Sequence, residues 1–248
     1  MIGRVVLAVL LAGIAAGLVM GAIQHVRLTP LILEAEAFER AGAPAGHSHG
    51  AVPAAEATAE ATAQPEADGH DHDHGEGWAP ENGWQRTLAT TVTAMMTGAG
   101  FAAILAAISL ITGLPITQRN GILWGLCGFL AVTLAPDAGL PPELPGMAAA
   151  DLASRQVWWV CTIAATAAGI YLIATQSRPF ALVLAVVLIA APHIIGTPVA
   201  PHGENLVPAE LVAHFVANSI AANAVFWCLI GLFLGLVLDR TAKDIYAT

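Results

Sequence analysis

The sequence predicts an all-α fold, a polytopic integral membrane helical bundle of about six transmembrane helices, or five if one short run does not cross. Three observations carry this. Of 248 residues, 56% are hydrophobic and only 11% charged, with a mean hydropathy of +0.69, whereas a water-facing surface normally needs far more charge. The apolar residues gather into runs of hydrocarbon length, and Trp residues and short basic turns mark the ends of those runs, as indoles and cations do at membrane interfaces.

The same composition excludes other classes. The net charge is −9, and the nine Lys and Arg are scattered singly, so no basic stripe for nucleic acid exists. Cys127, Cys161 and Cys228 all lie inside apolar runs without CxxC spacing, which indicates neither a disulfide framework nor a thiolate metal site. No nucleophile with a base, no phosphate loop and no HExxH spacing is present, so no enzyme is expected, and ATP drive would come from another chain.

Taken in order, Arg4 precedes an uncharged run over residues 5–23, longer than the apolar core of a cleaved signal peptide, which predicts a retained first span. Gly13, Gly17 and Gly21 repeat the spacing that lets membrane helices approach closely, although glycine is common in such helices anyway. Residues 24–40, with Glu34, Glu36 and Glu39 beside apolar positions, read as a short interfacial segment. Residues 41–77 are mostly Ala, Gly, Pro, Glu, Asp and His, and such a tract buries too little apolar area to offset its ordering entropy. It carries His47, His49, His70, Asp71, His72, Asp73 and His74. Imidazole and carboxylate suit divalent transition metals, and a flexible strand can wrap several coordination positions without a fixed geometry. A capture loop is the reading, with adventitious binding by a solvated linker as the alternative.

Residues 88–112 form a second span, entered through Trp78 and Trp84. Thr90, Thr91, Thr93 and Thr97 make its first half polar, which back-bonding of Thr hydroxyls within the helix explains. Residues 121–138 form a third, short span that crosses or re-enters, since its apolar core falls below the roughly 20 residues a crossing needs. The Pro-rich segment 139–156 follows, in which Asp151 and Arg155 are spaced to pair at i and i+4. Residues 157–175 are a fourth span, 180–197 a fifth that breaks at Pro192, and 208–238 a sixth opened by Pro208 and Glu210.

The stretch from Pro192 to Trp227 places ionisable groups against apolar runs, where polar side chains are costly unless a bundle interior receives them. A helix broken at Pro192 would aim His193, and Glu210 and His214 share a face of the next helix. A hairpin between these spans would converge His193, Glu210 and His214 on one metal, with His202 as an occasional fourth ligand.

Charge sets the orientation. Arg4, Arg119, Arg178, Arg240 and Lys243 lie in short segments on the side of both termini, which predicts cytoplasmic termini in the inner (plasma) membrane, with residues 24–87 outside. All but Asp239 and Asp244 of the 18 acidic residues fall on the opposite side, giving an anionic exterior that concentrates cations.

These motifs resemble a known family. The blocks AGIAAGLVMGAIQ, PLILEAEAFE, ENGWQRT, GILWGLCGFLAVTLAPDAGLPPELPGMAAADLASRQVWW, PHIIGTPVAPHG and VPAELVAHFVANSIAANAVFW are similar to the CbtA family of predicted cobalt transporter subunits, over nearly the whole chain except residues 41–77. The resemblance implies an integral-membrane cobalt importer tied to cobalamin synthesis, accompanied by a small one-span His-containing partner, CbtB. The family is often described with five spans, against six counted from the sequence. Cobalt is implied by the resemblance alone, and ligand spacing leaves Ni2+ and Zn2+ open. No tightly bound cofactor is expected. The expected function is that of a membrane subunit of a Co2+ uptake system, with a metal-binding or sensing accessory protein lacking a translocation path as the alternative.

Overall fold

The computed structural model describes residues 2–42, 80–200 and 205–246. The chain forms α1 (Ile2–Ile23), a π-helical turn (Gln24–Leu28), α2 (Thr29–Gly42), α3 (Trp84–Thr112), α4 (Gly121–Phe129), a second π turn (Leu130–Leu134), α5 (Ala135–Asp137), α6 (Leu152–Thr175), α7 (Pro179–Ile195) and α8 (Ala209–Tyr246), with no strand among the described residues. This is an all-α membrane bundle. Four helical stretches are long and apolar enough to cross a bilayer: Ile2–Ala41, Trp84–Thr112, Leu152–Thr175 and Ala209–Arg240. Gly121–Asp137 and Pro179–Ile195 are apolar but shorter.

The expected separate segment at residues 24–40 is instead continuous with the first helix, through the π turn. Proline explains it. Pro30 has no N–H, and its ring would press on the carbonyl four residues back; widening the preceding turn accommodates it. Thr29 then returns both its N–H and its hydroxyl, the latter at 3.1 Å, to the Gln24 carbonyl. The second π turn ends at Leu134, two residues before Pro136, as the first ends two residues before Pro30.

The expected break at Pro192 does not occur. Helix α7 runs through it to Ile195 and stops at Gly196, whose φ of 97° is left-handed and favours glycine. Pro192 is buried, and its carbonyl accepts from the Gly196 N–H and from the Trp158 indole Nε1, each at 3.2 Å. A proline so near the end costs the helix a single N–H donor, and the indole adds support from α6.

Helix α6 starts earlier than expected, because Asp151 caps it. Its carboxylate accepts from the Ser154 N–H at 2.9 Å and from the Ser154 hydroxyl at 2.8 Å. Asp151 therefore does not pair with Arg155, which reaches Glu143 at 2.8 Å. The Ser154 N–H and hydroxyl hold the Asp151 carboxyl below its ordinary 3.8. A depressed folded-state value means that the cap stabilises above pH 3.8 and is lost as pH falls through the lowered value. Asp151→Ala is expected to speed amide exchange in the first turn of α6 at neutral pH, whereas Asp151→Asn keeps a capping oxygen and removes the acid sensitivity.

Packing follows the small residues. Helices α1 and α3 run antiparallel with their backbones in contact: a Cβ on Gly13 would fall on the Gly98 carbonyl, and one on Gly17 on the Ala94 carbonyl. The glycine spacing in α1 thus serves close approach. Helices α4 and α8 repeat the arrangement, Gly121 lying against Gly231 and Gly125 against the Trp227 backbone. Helices α6 and α7 form a third pair, with Gly169 against Ala185 and Ile189. The core centres on α8, where Trp227, Ile230 and Leu234 are buried.

Candidate functional site

One end of the bundle gathers most of the polar chemistry. Glu36 on α2 forms an ion pair with Arg86 on α3 at 2.6 Å, and Arg86 also donates to Asn82 at 2.8 Å. At the next residue of α3, the Thr87 hydroxyl lies 3.1 Å from His25 Nδ1. Arg155 and Glu143 form a second ion pair at this end. The ends of α2 and α3 that flank residues 43–79 are therefore held side by side.

The expected metal residues are placed as follows. His193 is exposed near the end of α7, its ring edge-on to the buried Trp158 at a centroid separation of 5.8 Å. Glu210 and His214 are exposed on the first turns of α8, and the His214 carbonyl accepts from Asn218 Nδ2 at 2.8 Å. Among the described residues no group of three or more His, Cys, Asp or Glu side chains could hold a metal ion, so His193, Glu210 and His214 do not form one centre in this conformation. The reason lies in the pairing: α7 packs on α6, while α8 is taken up by α4, α1 and α3. His202 lies outside the described residues, as do His47, His49, His70, Asp71, His72, Asp73 and His74.

What the structure adds is a half-open polar cavity of about 360 Å³ bordered by α1, the first π turn, α3 and α8. Gln24, Thr90, Thr93, Thr97 and Asn223 contribute its polar groups. Thr90, Thr93 and Thr97 recur at i, i+3 and i+7, the period that puts them on one helix face. Thr91 does bond back to the Thr87 carbonyl at 2.8 Å, but no such bond is formed by these three among the described residues. Asn223 Nδ2 donates one of its two hydrogens to the Ser219 carbonyl at 3.0 Å. Gln24 carries a buried Oε1 with no hydrogen-bond partner among the described residues. Leaving such an acceptor unpaired costs about 1–3 kcal/mol.

Phe101 and Phe226 close one end of this cavity. Phe101 packs on Trp227 at a centroid distance of 4.6 Å, and the Trp227 indole donates to Thr133 Oγ1 at 3.1 Å. Phe101 and Trp227 also border a second, almost wholly apolar cavity of about 620 Å³ between α3, α4 and α6. An aromatic cluster thus divides a polar space from an apolar one.

No curated protein and no solved structure matches this chain. A family model described as "Probable cobalt transporter subunit (CbtA)" matches residues 2–239. That stretch takes in both glycine seams, the polar cavity and the aromatic cluster beside it, so the chain belongs to the CbtA family, described as probable cobalt transporter subunits.

Proposed function

We propose that the protein is the membrane subunit through which Co2+ enters the cell, in the inner (plasma) membrane with both termini cytoplasmic. The observation that carries the reading is the family match over residues 2–239, joined to four helices of membrane length. The short-segment basic residues support the orientation. In this reading the tract of His47, His49, His70, Asp71, His72, Asp73 and His74 captures the ion outside. Its two ends are anchored on α2 and α3, which the Glu36 to Arg86 pair holds together beside the polar cavity. A tethered ligand raises the local concentration of metal at that mouth without forming the path itself.

The test is time-resolved uptake of labelled cobalt into cells or vesicles carrying the protein. Accumulation beyond stoichiometric binding supports transport, and saturation at one or a few ions per chain identifies a binding accessory instead. Deleting residues 45–76 is expected to raise the half-saturating cobalt concentration by roughly tenfold while leaving the maximal rate unchanged. A lost maximal rate at saturating metal would place the tract within the path.

A further inference from the structure

We propose that the apolar cavity between α3, α4 and α6 holds the acyl chains of one anionic phospholipid, drawn from the leaflet on the side of the chain termini, with its phosphate beside Arg119 and Arg178. The partner is a lipid, and its binding does not depend on which ion the bundle carries.

The cavity exists because α6 is attached mainly at one end. Near its start it packs on the second π turn and α5, with Trp158 against Gly139. Further along, α3 and α4 form one wall and α6 the other. Phe101, Gly128 and Trp227 lie at one end of the space, and Thr112, Pro115 and Asn120 at the other. At the helical rise, Phe101 to Thr112 covers about 16 Å and Trp159 to Ala174 about 22 Å. Half of a hydrocarbon core is about 15 Å. The space is therefore about one leaflet deep. Ile104 and Leu123 on its rim are exposed, so it is half open sideways, where a lipid can enter.

Depth selects the occupant. A spanning helix, from a second copy or from another protein, runs the full core of roughly 30 Å. It cannot lie along a space stopped at mid-depth by Phe101 and Trp227, whose rings stack at 4.6 Å. Acyl chains end at mid-bilayer, where this space ends. At carbon contact distances a polymethylene chain is about 4–5 Å thick, so one leaflet's length of it fills on the order of 250 Å³. Two such chains fit the cavity of about 620 Å³.

Lipid tails are as apolar as the wall, so burying them here gains little over bulk lipid. Preference must come from the head group. Arg119 immediately precedes the wall residue Asn120, and Arg178 follows the wall residue Ala174 by four positions. Both arginines are exposed, and neither forms an ion pair among the described residues. Asp239, at the same end, accepts from the Gln118 N–H at 3.0 Å. Two basic residues at an anionic surface favour an anionic over a zwitterionic head by roughly tenfold or more.

The delipidated full-length protein in detergent is titrated with phosphatidylglycerol or phosphatidylcholine, and bound lipids are counted by native mass spectrometry. The expected result is one saturable phosphatidylglycerol site, roughly tenfold tighter than for phosphatidylcholine. Ala164→Phe/Ala167→Phe sets two rings into the cavity from exposed positions on α6 and is expected to weaken that site by roughly tenfold. Leu123→Trp fills the cavity from α4 with the same expected loss, and it guards against misfolding of the first variant. Ala168→Phe, exposed but off the cavity wall, is expected to bind like the parent. Arg119→Gln/Arg178→Gln is expected to make the two lipids equivalent.

A tight site unchanged in both folded cavity-filling variants overturns the location, and a parent without a saturable site overturns the proposal outright. A phosphatidylglycerol preference that survives in the arginine variant overturns the place given to the phosphate. A parent that runs as a dimer, dissociated by the cavity-filling variants, puts a second copy in the space and overturns the lipid.

Discussion

Gly98→Leu is expected to leave almost no folded protein in the membrane, while Gly100→Leu, two residues along the same helix, is expected to be harmless. The Gly98 Cα faces the Gly13 backbone, so any Cβ placed there falls on the Gly13 carbonyl. Overpacking of a side chain against side chains costs about 1–3 kcal/mol because neighbours shift rotamers. Here the obstacle is main chain on both sides, repeated one turn further on at Gly17 against Ala94. Relief therefore requires α1 and α3 to part along the seam, and the expected cost is on the order of 3 kcal/mol or more. A Cβ on Gly100 meets nothing within 4 Å. Thermal melting in detergent and the yield of inserted protein measure the contrast. Equal stability of the two variants would show that the seam is not a close backbone contact.

Trp227→Ala is expected to be the most damaging truncation in the core, at about 3–5 kcal/mol. The side chain is 2% exposed, packs on Phe101, and lies so close to Gly128 that a Cβ there would meet its ring. Its removal also strips the donor from Thr133 Oγ1. Trp227→Phe keeps most of the ring and loses only the hydrogen bond, with an expected cost near 1 kcal/mol. Comparing the two variants by chemical or thermal unfolding separates the packing loss from the polar one. If alanine costs no more than phenylalanine, the aromatic cluster is not what divides the two cavities.

Much of the bundle was legible because its causes are local. Composition and apolar run length alone require helices in lipid, and Gly13, Gly17 and Gly21 announce a contact face by their spacing. Features set by competition between partners were not legible. Spacing matched Asp151 to Arg155, but the orphan amides at the start of α6 took the Asp151 carboxylate and left Arg155 to Glu143, from another segment. Pro192 suggested a break, and only the indole of Trp158, 34 residues earlier, shows why its turn persists. The polar cavity escaped notice for a different reason. The threonine stripe on α3 has an innocent explanation in back-bonding, and Gln24 owes its place to a π turn that no 3.6-residue periodicity reveals. The supposed convergence of His193 with Glu210 and His214 assumed that neighbours in sequence are neighbours in space. Helix α7 pairs with the helix before it, not the one after.

The glycine seams also decide how this protein can change shape. Where two backbones touch with no side chains between them, there is no rotamer slack to absorb a change of spacing, so α1 with α3 and α4 with α8 each behave as a single stiff body. The freedom that remains belongs to the joints between bodies. Both cavities lie at such joints, the polar one where the first pair meets α8 and the apolar one where α3 and α4 face α6. A small rotation of one body against another would change both volumes together, with Phe101 and Trp227 as the shared hinge face. If the chain carries cobalt by alternating access as proposed, the fold leaves that motion few degrees of freedom, with whole helix pairs rocking against each other.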